Sequence, residues 1–125
     1  MTKNDRRLRV LIADDERSIA DTLALILNHK GFEAHAVYSG ERAVEAATHL
    51  APDVLISDVI MDGMTGIDAA VRIREYFPRC RVILFSGMEA TTELLHRART
   101  GVVDFDILPK PIHPRILLEH LNRPG

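Results

Sequence analysis

The sequence predicts a single α/β domain built on a five-stranded parallel sheet with helices on both faces. Two features carry this. Short apolar runs alternate five times with stretches whose apolar residues recur at helical spacing. The run Val82–Phe85 is almost wholly apolar, as a strand in the middle of a parallel sheet is. Right-handed crossovers then put helices on both faces. For five such strands the established doubly wound order is 2-1-3-4-5, with a switch point beside strands one and three.

The first strand is Leu8 to Ala13. From Ser18, Ile19, Leu23, Ile26 and Leu27 recur at helical spacing, and Gly31 is a stop. Phe32 to Val37 alternates only partly, as an edge strand does. Ser39 is placed to cap a second helix that buries Ala43, Ala46, Ala47 and Leu50 and ends before Pro52. Val54 to Ser57 is the third strand. Thr65-Gly66 opens a third helix with Ile67, Ala70, Val71 and Ile73 inside, and Pro78 lies past its end. Val82 to Phe85 is the fourth strand. Glu89 to Arg99 is a fourth helix burying Leu94, Leu95 and Ala98, with Gly101 after it. Val102 to Leu108 contains the fifth strand. Pro114 suits the first turn of a last helix carrying Ile116, Leu117 and Leu121. Residues 1–7 read as a flexible tail, 8–122 as the domain and 123–125 as a second tail.

Composition narrows the function. Of 125 residues, 46% are hydrophobic and 27% charged, which excludes disorder and collagen-like structure. Sixteen basic against 18 acidic residues give a net charge of -2, so no broad cationic surface exists for nucleic acid. Cys80 is the only cysteine; it offers neither an internal disulfide nor a zinc cluster, and it fits a reducing, cytoplasmic setting. The apolar run Leu8–Ala13 is too short for a secretion signal, and nothing approaches a membrane span.

Ligands of open α/β sheets bind outside the carboxyl ends of the strands. Strand one runs into Asp14-Asp15-Glu16, strand three ends at Asp58, strand four at Ser86-Gly87, and strand five at Pro109-Lys110-Pro111. Taken singly, Asp14, Asp15 and Asp58 could each be a helix or loop cap, and Lys110 a structural ion pair. Together, clustered carboxylates repel and raise one another's pKa unless a cation intervenes. A hard divalent ion such as Mg²⁺ wants this oxygen set, and Ser86 and Lys110 suit a phosphate opposite it. No phosphate-cradling Gly-rich loop, GxGxxG or GxSxG is present. The remaining nucleophile is a carboxylate, able to form an aspartyl-phosphate.

Four segments carry a resemblance: VLIADDE at Val10–Glu16, LISDVIMDGMTG at Leu55–Gly66, LFSG at Leu84–Gly87 and LPKPI at Leu108–Ile112. Jointly they resemble the response-regulator receiver domains of bacterial two-component signalling, over nearly the whole chain. The resemblance implies a flavodoxin-like three-layer fold. It implies Asp58 as phosphoacceptor, Asp15 as a direct metal ligand, Asp14 as the acidic partner that helps hold the ion, and the Ile60 backbone carbonyl as a further ligand. Ser86 matches the switch hydroxyl, Lys110 the lysine that pairs with the phosphoryl oxygens, and Pro111 a cis proline. Mg²⁺, with Mn²⁺ as a substitute, is the implied cofactor. A sensor histidine kinase or a histidine phosphotransfer protein is the implied donor.

The sequence departs from that pattern in places. Asp62 stands four residues after Asp58, where proline is usual, and Gly63 follows; a more flexible loop and extra negative charge are expected. Ile107 occupies the usual aromatic switch position. Phe105 has the same strand parity and reads either as its replacement or as core filling. Ile60 and Met88, which flank the phosphoryl group in the family, are apolar here and cannot orient water, so slow self-dephosphorylation is expected.

The reading is a phosphorylation-controlled switch, with no turnover of a separate substrate and no membrane insertion. Its output would pass to a downstream protein, or to an output domain outside this sequence, through the face formed by the fourth helix, fifth strand and fifth helix, where Arg97, Arg99, His113, Arg115 and His120 stand. DNA binding would belong to such a further domain. Two other readings stay open: a receiver-like binding module recognised without phosphorylation, and an Asp-nucleophile, Mg²⁺-dependent phosphatase.

Overall fold

A computed structural model describes residues 7–87, 96 and 105–123. Along the described chain run β1 (Arg9–Ala13), α1 (Arg17–His29), β2 (Glu33–Val37), α2 (Gly40–Leu50), β3 (Val54–Asp58), α3 (Gly66–Tyr76), β4 (Arg81–Ser86), β5 (Phe105–Pro109) and α4 (Pro114–Leu121). The helix expected over Glu89–Arg99 falls, His96 apart, outside the described residues, as do Met88 and the start expected for the fifth strand. All five strands are parallel, in the order β2-β1-β3-β4-β5. The predicted sheet is therefore observed, with β2 at one edge.

Side-chain alternation along each strand builds two cores. In β1, Leu11 and Ala13 face α2 and α3, where they meet Ala43, Ala47, Leu55, Ile67, Ile73 and Leu84. Val10 and Ile12 face α1 and α4, where they meet Leu23, Leu27, Ile56, Ile83, Phe85 and Leu117. Every residue of β3 is buried, because layers cover both of its faces. The sheet is thus the middle of three layers.

Local chemistry sets the helix starts. Ser39 Oγ accepts the Arg42 N–H at 3.0 Å and Thr65 Oγ1 accepts the Asp68 N–H at 3.1 Å. Pro114 occupies the first turn of α4, and His113 Nδ1 accepts the Arg115 N–H at 3.1 Å. Chain reversal after α2 uses Ala51 at φ 49°, just before Pro52.

Two core assignments need correction. Val71 and Ile116 are 37% and 39% exposed. Each lies one residue, about 100° of helix rotation, from a fully buried neighbour, Ala70 and Leu117. In both helices the buried stripe is one position narrower than the set of apolar residues. Phe105 is buried in the α2–α3 core, opposite Val82 at the start of β5, with the Arg74 guanidinium 5.7 Å from its ring centre. It is core filling. Ile107, opposite Leu84, is half-buried against the same core.

Candidate phosphoryl and metal site

Strand register brings the predicted residues to one rim. Ala13 pairs with Ser57, so Asp14 and Asp58 leave adjacent strands side by side. Asp58 pairs with Phe85, and Ser86 with Pro109. The Lys110 N–H donates to the Ser86 carbonyl at 3.0 Å, which fixes where the lysine leaves β5. The Lys110–Pro111 bond is cis, as the resemblance implied.

The side chains then converge. Lys110 Nζ lies 2.8 Å from Asp58 Oδ2. Asp14, Asp15 and Asp58 each offer a carboxylate oxygen, and these three atoms lie within 4.8 Å of one another. Asp14 and Asp58 are buried, whereas Asp15 is exposed. Neither member of the acidic pair caps α1, whose N-cap is Glu16 without a side-chain bond. Asp14 Oδ1 accepts the Glu16 N–H at 3.0 Å instead. Burial raises the Asp14 pKa above its ordinary value, and the charges of Asp58 and Asp15 push the same way. The Glu16 amide and the Lys110 ammonium oppose them.

This donor set fits a hard divalent cation. All three side chains offer oxygen, which Mg²⁺ and Mn²⁺ prefer. Asp14 Oδ2 is buried and has no hydrogen-bond partner among the described residues. A buried carboxylate oxygen in that position is costly unless a cation serves it. Ile60 is half-buried next to the cluster's loop and packs against the α2–α3 core. Ser86 ends β4 at the same rim and is half-buried.

In the β3–α3 loop, where Asp62 stands at the place usual for proline, backbone amides make specific contacts. The Asp62 N–H donates to Asp15 Oδ2 at 3.3 Å, a bond that proline cannot make. The Met64 N–H donates to Glu41 Oε2 at 3.1 Å, and the Gly66 N–H to the Val59 carbonyl at 2.9 Å. Glu41 was not singled out in the sequence, where it reads as an ordinary acid in the first turn of a helix. Gly66 has a second role: a Cβ on it would sit 2.0 Å from the Asp58 carbonyl oxygen.

Comparison with known proteins bears on the family and the fold. The response regulator receiver domain family model matches residues 10–122. Chemotaxis protein CheY of Thermotoga maritima is 34% identical over 116 residues, covering 92% of this chain and 95% of that protein. The DNA-binding response regulator MtrA of Mycobacterium tuberculosis is 28% identical over 93% of this chain, but the chain spans only 50% of MtrA. Among solved structures, chemotaxis protein CheY4 of Vibrio cholerae superposes with a TM-score of 0.83 at 28% identity, covering 94% of this chain and 98% of that one. A CheY-like receiver domain protein of Methanospirillum hungatei superposes at 0.85 with 23% identity, covering 93% and 91%, which speaks to the fold.

Proposed function

The chain belongs to the response regulator receiver domain family, and we propose that it is a phosphorylation-controlled switch whose phosphoacceptor is Asp58. The observation that carries this reading is the 2.8 Å approach of Lys110 Nζ to Asp58 Oδ2 beside the Asp14–Asp15 carboxylates. A nucleophilic carboxylate, a cation for the incoming oxygens and an oxygen-rich metal pocket then share one rim.

In the proposed step an Asp58 carboxylate oxygen attacks the phosphorus of a phosphohistidine. The P–N bond breaks, its electron pair leaves with the imidazole, and an acyl phosphate forms. The Lys110 ammonium turns from the carboxylate to the phosphoryl oxygens, which carry more charge. Ser86 donates its hydroxyl proton to the same group and so biases a two-state surface. Mg²⁺ held by Asp14, Asp15, Asp58 and the Ile60 carbonyl would offset negative charge on the phosphoryl oxygens. Hydrolysis of an outside phosphate ester is not part of this function.

The donor in this reading is a protein, a histidine kinase or phosphotransfer domain. A cleft of about 600 Å³ beside Lys110, lined in part by Ile19, Leu23, Phe85, Pro111 and Ile112, offers such a donor an apolar foothold. Output passes through the face formed by the fourth helix expected over Glu89–Arg99, the last strand and α4; at α4 stand the exposed His113 and Arg115 and the half-buried His120, whereas Arg97 and Arg99 lie outside the described residues. No helix among the described residues is long and apolar enough to cross a membrane.

The test is phosphorylation of wild type and D58A by a small phosphodonor with Mg²⁺, followed by intact mass. Wild type gains the mass of one phosphoryl group and D58A does not. An unlabelled wild type would favour a module that binds its partner without phosphorylation. Labelling of D58A would place the phosphoryl group elsewhere.

A further inference from the structure

We propose that Glu41 is a positioning residue for the Asp58 site: from the first turn of α2 its carboxylate holds the β3–α3 loop so that Ile60 and Asp62 stay against the acidic pocket. The inference rests on the reading of Asp58 as a metal-assisted phosphoacceptor, and it assigns a role to a side chain outside that pocket.

The contacts run in one chain. Glu41 Oε2 accepts the Met64 N–H at 3.1 Å. Gly63, one residue earlier, has φ +81°, and a Cβ there would lie 2.7 Å from Glu41 Oε2. Only glycine allows both the backbone conformation and the close carboxylate. A Cβ on Gly40 would fall 2.8 Å from the Met64 carbonyl oxygen, so the start of α2 is seated directly on the loop. Asp62, one residue before Gly63, sends its N–H to Asp15 Oδ2 at 3.3 Å. The loop is thus held at one point by a pocket carboxylate and at another by Glu41.

The arrangement takes the place of a stiff residue. Proline at position 62 would restrict the loop by fixing φ. Asp62 does not, and a loop that must be ordered on ligand binding weakens that binding. The Glu41–Met64 bond supplies the missing restraint. Groups that orient metal ligands without touching the metal typically matter by about 10–100-fold in affinity. Glu41 is exposed and acts at one further remove, so its loss should cost about three- to tenfold.

The 125-residue wild type, E41A and E41Q are titrated with Mg²⁺ alone by calorimetry, and exchange of the Met64 amide hydrogen is followed by NMR. E41Q keeps a hydrogen-bond acceptor while losing the same charge as E41A, so the pair isolates the bond. E41A should bind Mg²⁺ about three- to tenfold more weakly and exchange the Met64 amide faster, with E41Q close to wild type in both. At saturating Mg²⁺ the labelling rate of E41A should return towards the wild-type value, with the Tm of metal-free E41A close to that of metal-free wild type, so that general destabilisation does not account for the weaker binding. Unchanged Mg²⁺ affinity in a folded E41A overturns the inference, as does unchanged Met64 exchange or an E41Q that falls as far as E41A. Wild type that binds no Mg²⁺ would overturn the reading of the site and this inference with it, whereas the other outcomes strike the inference alone.

Discussion

Glycine to alanine at the start of a helix ordinarily stabilises, because it removes freedom from the unfolded chain and raises helix propensity; the gain is about 0.4–1 kcal/mol. At Gly66 the sign should reverse. A Cβ there lies 2.0 Å from the Asp58 carbonyl oxygen, 2.8 Å from Ser57 Oγ and 3.0 Å from the Asp58 carbonyl carbon. Two of these atoms are backbone in the central strand β3, every residue of which is buried. They cannot swing aside as a side-chain tip would. Either α3 must back away by more than an ångström, roughly the shortfall from van der Waals contact, or β3 must bend at Asp58. Overpacking of this kind costs about 1–3 kcal/mol, and a backbone clash belongs at the upper end. With the propensity gain subtracted, G66A should lose about 2 kcal/mol. For a domain of 125 residues that lowers Tm by about 8 °C. Thermal unfolding by circular dichroism measures the shift, and intact-mass labelling measures what it does to Asp58. A Tm equal to or above wild type would refute the claim that α3 is seated on the Asp58 backbone.

Other expectations follow from the same contacts. Burial and the neighbouring carboxylates hold the Asp14 pKa above its unfolded value, so the folded state binds this proton more readily and the ionised group opposes folding at neutral pH. Metal-free D14N should therefore melt above wild type at pH 7. Its advantage should shrink as pH falls through the raised pKa towards the ordinary carboxylate value; an advantage that grows on acidification would contradict this. Mg²⁺ should raise the Tm of wild type in proportion to the logarithm of its concentration once the site fills, and much less in D14N and D15N. Equal shifts in all three would place the ion elsewhere. The Cys80 thiol is pushed up to about 11 by burial and is 2% exposed, so a disulfide reagent should label it slowly in native protein at pH 8 and rapidly in urea; fast native labelling would contradict its burial. Half-buried, apolar Ile60 cannot activate water, so phospho-protein with Mg²⁺ should persist well beyond seconds, a decay readable by intact mass.

Much of the fold was legible because its signals are local. Val82–Phe85 could only be an interior strand, and Ser39 and Thr65 stood where helices needed caps. The rim was legible because Asp14, Asp58, Ser86 and Lys110 each follow an apolar run directly, and parallel strands bring such positions together. What stayed hidden depends on contacts distant in sequence. Glu41 and Met64 are 23 residues apart, and an exposed glutamate that accepts an amide proton looks no different in sequence from one that faces water. Asp62 was read for its carboxylate, yet its backbone amide makes the contact with Asp15. Parity allowed Phe105 two meanings; its place opposite Val82 at the start of β5, away from the rim, left one. The clasp at the start of α1 was also invisible, where the Tyr38 hydroxyl donates to Asp21 Oδ1 at 2.6 Å and Arg17 lies over the Tyr38 ring at 4.2 Å.

The pocket's charge explains how this rim suits the proposed switch. Three carboxylates converge, two of them buried, and each gives one oxygen to a donor of the chain itself. Asp14 takes the Glu16 amide, Asp15 the Asp62 amide, and Asp58 the Lys110 ammonium. Two of these donors are neutral amides, which satisfy a lone pair but leave the net charge in place. The folded domain therefore retains electrostatic strain around Asp14 that a divalent cation would relieve. Lys110 is the donor able to move, on a flexible stem with three protons to share. In the proposed reaction it follows charge from the carboxylate to the phosphoryl group, while the amides, fixed by the strand ends and the tethered loop, keep the acids in place. That division between fixed amides and a mobile ammonium gives the loop its importance: if Asp62 drifts, Asp15 loses its restraint and the pocket opens on its exposed side.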